Sequence, residues 1–127
     1  MAPPAPPTPK ELALFAELCS DLPPDGLAEL CNGVHSYAGE LEAEQATSEL
    51  VAVDLAIAVR DRLERLFGLA SQLPAAQRAL VVGAARYFIS KDDAIPDTRA
   101  CTGLDDDVRI VNHVLKELGR AEWSIEE

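Results

Sequence analysis

Aromatic residues make up only 5% of the 127 residues, with one tryptophan, two tyrosines and three phenylalanines. The apolar content is instead mostly Ala, Leu and Val, which favours helices. No segment alternates apolar and polar residues over a useful length, so a half-buried strand is not expected. Basic residues are also scarce. Eleven Lys plus Arg face 22 Asp plus Glu, and the net charge of −11 argues against a nucleic-acid backbone or an anionic membrane as partner. Another protein, neutral or basic, fits better. The three cysteines, Cys19, Cys31 and Cys101, form no C-x-x-C pair and have no histidine at zinc-finger spacing. Unreactive buried thiols in a reducing cytoplasm are expected. The longest uncharged apolar run, Ala79 to Ala85, stops at Arg86 and falls well short of the roughly 20 residues a transmembrane helix needs. The seven glycines are scattered and build no phosphate loop, and His35 and His113 accompany no nucleophile motif.

What is present suffices for one core. Hydrophobic residues reach 48%, so the acidity belongs to a folded domain rather than to a disordered acidic tail. The first nine residues, MAPPAPPTP, hold five prolines and neither a basic residue nor an apolar core. They are expected to form a mobile, polyproline-like tail over 1–9 and not a secretory signal. Residues 10–127 form the helical domain, with N-terminal helices over 10–73 and a second part over 74–120 that carries an Asp-rich loop at 90–107.

The helices follow from apolar spacing. Leu12, Phe15, Leu18, Cys19 and Leu22 form one stripe, ended by Pro23-Pro24. Asp25 is placed to cap a second helix with the stripe Leu27, Leu30, Cys31 and Val34, and Gly33 and Gly39 leave its end open. His35 would then favour the negative end of that helix dipole. A third helix can start near Glu40, but Thr47 or Ser48 is the better cap. It gathers Val51, Leu55, Val59, Leu63, Leu66, Ala70 and Leu73 on one face, and Leu50, Val53 and Ile57 make its first half apolar on a second face as well. Arg62 projects at the edge of the apolar face, where it either snorkels or pairs inward with a loop carboxylate. Pro74 opens a fourth helix that is apolar round most of its circumference, with Gly83 allowing a close neighbour. The last helix carries Val108, Val111, Val114, Leu115 and Leu118 on one side and Arg109, His113 and Lys116 on the other, and Gly119 stops it. The fold class expected is an all-α bundle of five helices.

Residues 87–107, YFISKDDAIPDTRACTGLDDD, hold Asp92, Asp93, Asp97, Asp105, Asp106 and Asp107 between two apolar helices. A structural account serves them well. Thr102-x-x-Asp105 has the form of a capping box, and Asp105 to Asp107 place negative charge on the positive end of the last helix. Ile95-Pro96 anchors the loop, and Asp97 folds back onto loop amides. The rival account is a hard-cation site for Mg²⁺ or Ca²⁺, and with it a metal-dependent enzyme. The spacing is not that of an EF-hand. It is also off by one, and interrupted by Pro96, relative to the Asp-rich motifs of all-α isoprenoid synthases. No cofactor is otherwise implied.

Tyr87-Phe88-Ile89-Ser90, then Asp93-x-Ile95-Pro96-Asp97, then Gly103-Leu104-Asp105-Asp106 are similar to the signature of the small YkvA-like domains. The resemblance covers residues 78–118, with Lys91 standing where the family usually has Pro. It implies a helical domain organised around this loop and supplies no activity.

Charge is unevenly spread, with −8 in residues 1–50, +2 in 51–90 and −5 in 91–127. Arg62 and Arg86 are candidates for internal ion pairs, and the Glu40, Glu42, Glu44 and Glu49 group is a candidate partner-binding surface. The function expected is protein binding or regulation without evident catalysis. A more specific form is an acidic inhibitor, such as an immunity protein or a mimic of nucleic-acid charge. Pairing of two copies through the Ala-rich third segment is a further possibility.

Overall fold

Thr8 starts the first helix by a reciprocal pair of bonds. Glu11 N–H donates to Thr8 Oγ1 (3.2 Å) and Thr8 N–H donates to Glu11 Oε1 (2.9 Å), a complete capping box ahead of Pro9 at the first helical position. The computed structural model describes residues 6–45, 53–89 and 105–125, and the side chains of all of these except 41, 42, 44, 45, 53–55 and 105. Its helices are α1 (Pro9–Leu18), α2 (Pro24–Gln45), α3 (Val53–Leu69), α4 (Ala75–Ile89) and α5 (Asp105–Glu117). Short 3₁₀ turns follow α3 at Ala70–Gln72 and α5 at Ala121–Trp123. The fold is thus an all-α bundle, with no strand among the described residues, and α1 includes Pro9 of the expected tail. No helix among the described residues is long and apolar enough to cross a membrane.

α4 is the central helix and packs against each of the other four. Val81, Val82, Gly83, Ala84, Ala85, Tyr87 and Phe88 are all buried, as its nearly continuous apolar circumference requires. Gly83 marks the closest approach. A Cβ there would lie 2.9 Å from Phe15 Cε1 and nearer still to Cys19 Sγ, so only glycine lets α1 lie this close. α5 contributes Val108, Ile110, Val111, Val114 and Leu115 to the same core, and α3 contributes Ala56, Val59, Leu63 and Leu66. Gly119, at φ +75°, closes α5 in a Schellman motif, with Arg120 N–H on Leu115 O (2.7 Å) and Gly119 N–H on Lys116 O (3.2 Å).

Three expectations need correction. α2 begins at Pro24, so Asp25 lies in the first turn, where it favours the dipole rather than capping the helix. α2 also runs through Gly33 and Gly39, and Glu40 lies inside it. The buried stripe Val34, Tyr37 and Ala38 continues past Gly33, and Tyr37 stacks edge-on against Phe88 at 5.0 Å. Burying Val34 and Tyr37 contributes about 1.5–3 kcal/mol each, more than the roughly 1 kcal/mol that each helical glycine costs. Ile57, expected on a second apolar face of α3, is exposed. Thr47 and Ser48 lie outside the described residues.

Candidate functional site

The two ends of the 87–107 segment meet in the core. Asp106 and Asp107, in the first turn of α5, are both buried, and Tyr87 Oη from α4 donates to Asp106 Oδ2 at 3.0 Å. Asp107 N–H donates to Asp106 Oδ1 (3.1 Å). Burial pushes the Asp106 carboxyl above the usual aspartate range and nearby Glu11 adds to the rise, against the pull of the Tyr87 hydroxyl.

Glu11 belongs to the same end of the bundle. Its carboxylate is buried and gripped by the Arg109 guanidinium through Nε–Oε1 (3.0 Å) and Nη2–Oε2 (2.5 Å). Burial acts to raise its pKa, but the Arg109 fork and the bonds from Thr8 outweigh this and hold it below the usual range. One residue therefore caps α1, ties α1 to α5 and sets the charge beside Asp106. Glu11 is not among the residues expected to form a site, although Thr8-x-x-Glu11 ahead of an apolar run is the sequence signal for it. Arg109 and His113, read as lying on a polar face, are half-buried, and His113 stands edge-on to Phe15 at 6.0 Å.

The other expected site residues are placed as follows. Asp105 is the first residue of α5. Asp92, Asp93, Ile95, Pro96 and Asp97 lie outside the described residues, as do Thr102 and Cys101. No group of three His, Cys, Asp or Glu side chains among the described residues is arranged to hold a metal ion. Arg62 does not pair with a loop carboxylate among the described residues. Its Nε donates to the carbonyl of Trp123 (2.8 Å), and its Nη1 pairs with the adjacent Asp61 (2.8 Å). Arg86 likewise serves as a helix cap, with Nη1 donating to Leu18 O (3.0 Å) at the end of α1 and to Ser20 Oγ (2.7 Å). His35, with α2 continuing past it, pairs with Glu64 of α3 instead of an α2 terminus. Cys19 and Cys31 are free and half-buried. Burial raises both thiol pKa values, opposed by Arg86 at Cys19 and reinforced by Glu64 at Cys31.

The C-terminal segment is also fixed by groups not foreseen. Asn112, buried on α5, donates from Nδ2 to Ile125 O (2.9 Å) and accepts Ile125 N–H at Oδ1 (2.7 Å). Trp123 has the Arg65 and Arg120 guanidinium carbons 5.5 and 5.2 Å from its ring centroid.

The outer surface has a different character. Between Lys10 and Arg60 the chain carries ten Asp plus Glu and no Lys or Arg. Exposed Asp25, Glu29, Asn32, Ser36 and Glu40 follow one another along the solvent face of α2 at steps of three and four. Glu42 and Glu44 belong to α2 without described side chains, and Glu49 lies outside the described residues. Arg62, Arg65, Arg78, Arg86, Arg109 and Arg120 are engaged within the chain. Arg78 makes a two-bond fork on Asp21 (2.9 and 3.0 Å), which holds that carboxyl below its ordinary range.

No known protein family, no curated protein and no solved structure matches the chain.

Proposed function

We propose that this protein works by binding a basic protein partner through the acidic surface of α2, without chemistry of its own. The observation that supports this reading is the disposition of charge. Six arginines are spent on internal bonds to carbonyls, carboxylates and the Trp123 ring, while Asp25, Glu29 and Glu40 stay exposed on one helix face. The buried Tyr87–Asp106 and Glu11–Arg109 contacts then organise the bundle that carries this surface. The free thiols of Cys19 and Cys31 suit the cytoplasm. Association through such a surface is fast and weakened by salt.

The test compares the wild type with Asp25→Asn/Glu29→Gln/Glu40→Gln in affinity capture at modest salt. Discrete basic proteins retained by the wild type, released by salt and lost from the variant are the expected result. Equal capture by both chains, or no capture by either, overturns the reading. If the partner's site normally meets phosphate, as an acidic inhibitor requires, polyphosphate displaces it.

A further inference from the structure

The acidic surface of α2 borders an apolar groove. α2 and α3 run antiparallel, with His35, midway along α2, paired to Glu64 and Pro24 beside Ser71 at the far end of α3. A depression of about 400 Å³ follows this seam, and one of about 500 Å³, lined also by Asp21, Leu22, Pro23 and Arg78, adjoins it at Pro24, Leu27 and Ser71. The wall from α2 is Pro24, Leu27, Ala28 and Cys31, and the wall from α3 and its 3₁₀ extension is Glu64, Phe67, Gly68 and Ser71, with buried Ala70 behind them. The α2 set falls at i, i+3, i+4 and i+7 and Glu64, Phe67 and Gly68 continue the same spacing on α3, so each wall is a stripe on one helix face, and the seam between two such faces is the shape into which a third helix packs. A Cβ at Gly68 would meet nothing within 4 Å, so the space above the seam is open.

Charge decides what fills it. Exposed Asp25 and Glu29 stand on the α2 row next to the groove wall, Glu64 lines the other wall, and Asp21 lies at the Pro24 end. Among the described residues Arg78 is the one Lys or Arg in the lining of either depression, and its guanidinium is bound to Asp21 and to the Leu73 carbonyl (2.8 Å). Asp21 is balanced by Arg78 and Glu64 faces His35, so the net negative charge beside the apolar floor is that of Asp25 and Glu29 on the α2 side. A second copy would bring another chain of net charge −11 against it, acidic row to acidic row. The complementary occupant has the opposite pattern.

We infer that the groove between α2 and α3 receives an amphipathic, cationic helix from a partner protein, with apolar side chains at helical spacing on the floor and Lys or Arg against Asp25 and Glu29. This rests on the basic-partner reading above and specifies its contact. The acidic row of α2 steers and the groove selects.

The probes are a synthetic Leu/Lys peptide with leucines at i, i+3, i+4 and i+7 and its composition-matched shuffle, both titrated at low salt. Ala28→Gln/Gly68→Gln fills the groove without changing net charge, and open space at Gly68 lets the fold accept it. Expected are binding of the patterned peptide about tenfold tighter than the shuffle and loss of that advantage in the double variant. Cys31, on the groove wall, provides a second readout in the unmodified protein, where the patterned peptide alone slows its alkylation. Equal binding of the two peptides, or undiminished preference in the double variant with Cys31 unprotected, overturns the groove while leaving the acidic-surface reading intact. Failure of both peptides to bind overturns both readings. Concentration-dependent self-association in light scattering, abolished by the double variant, assigns the groove to a second copy instead.

Discussion

Tyr87 Oη donates a 3.0 Å hydrogen bond to Asp106 Oδ2 in a site closed to solvent, joining the end of α4 to the first turn of α5 across 19 residues of chain. The helix dipole favours a charged carboxylate at this position, and burial opposes it. Burial prevails, since the carboxyl pKa lies above its ordinary value.

A carboxyl whose pKa is raised by folding binds its proton more tightly in the native state. Asp106 therefore supports folding at acid pH, and that support is lost as pH rises through the folded-state value. Asp106→Asn keeps the size and an acceptor for Tyr87. Its stability at neutral pH is expected to equal or exceed the wild type, with the acid-side gain removed. Tyr87→Phe is expected to lose about 1–3 kcal/mol at neutral pH, the usual cost of a buried acceptor without its donor, and less at acid pH. Urea titrations across that range check both, and a larger loss for Tyr87→Phe in acid would contradict the account.

Glu11 has the opposite sign. Its pKa is lowered by folding, so its contribution is present above the unfolded value and is lost as pH falls through the folded one. Glu11→Gln leaves an oxygen to accept Thr8 N–H, and it removes both the charge facing Arg109 and the second oxygen that accepts Arg109 Nη2, setting an amide N–H against that donor. Breaking a buried pair from one side costs about 3 kcal/mol. Chemical denaturation at neutral pH is expected to show a loss of that order, narrowing toward acid.

Gly83→Ala sets two effects against each other. Helix propensity favours alanine by about 1 kcal/mol. The new methyl, however, lies 2.9 Å from a Phe15 ring edge that is fixed in the core, and overpacking of this kind costs typically 1–3 kcal/mol. A net loss in thermal unfolding is expected, partly recovered by Cys19→Ala, which removes the nearer of the two obstructing atoms.

Much of the architecture was legible because it depends on short-range pattern. Apolar spacing identified the central α4, and Gly83, Pro74 and Gly119 each announced a local constraint. Glu11 and Arg109 were harder to read, since 98 residues separate them and each is ordinary in its own window. Arg62 and Arg86 are candidates for ion pairs in the sequence, yet the partner that ties each to a distant element is a backbone carbonyl, which no residue type advertises. Ile57 failed because the apolar pattern shows which faces can be buried and not whether a neighbour arrives to cover them. Of the aspartates, the pair at the start of α5 was identified by position and the burial of both was not.

The C-terminal segment gives the clearest optical test. Asn112 holds both backbone groups of Ile125, and Arg62 holds the Trp123 carbonyl, so residues 121–125 are fixed to α5 and α3 by polar bonds with little apolar cover beyond Ile125 and half-buried Trp123. Asn112→Ala removes two bonds of about 1 kcal/mol each and leaves the Ile125 N–H and C=O to find water. The segment is then expected to open locally before the bundle unfolds. Trp123 is the only tryptophan in the chain, so its emission reports this event without labelling. A red shift of that emission and faster amide exchange at Ile125 are expected in Asn112→Ala, with the exchange of α4 unchanged. If α4 exchange accelerates in step with the segment, the C-terminus is integral to the core and not a separately opening strap.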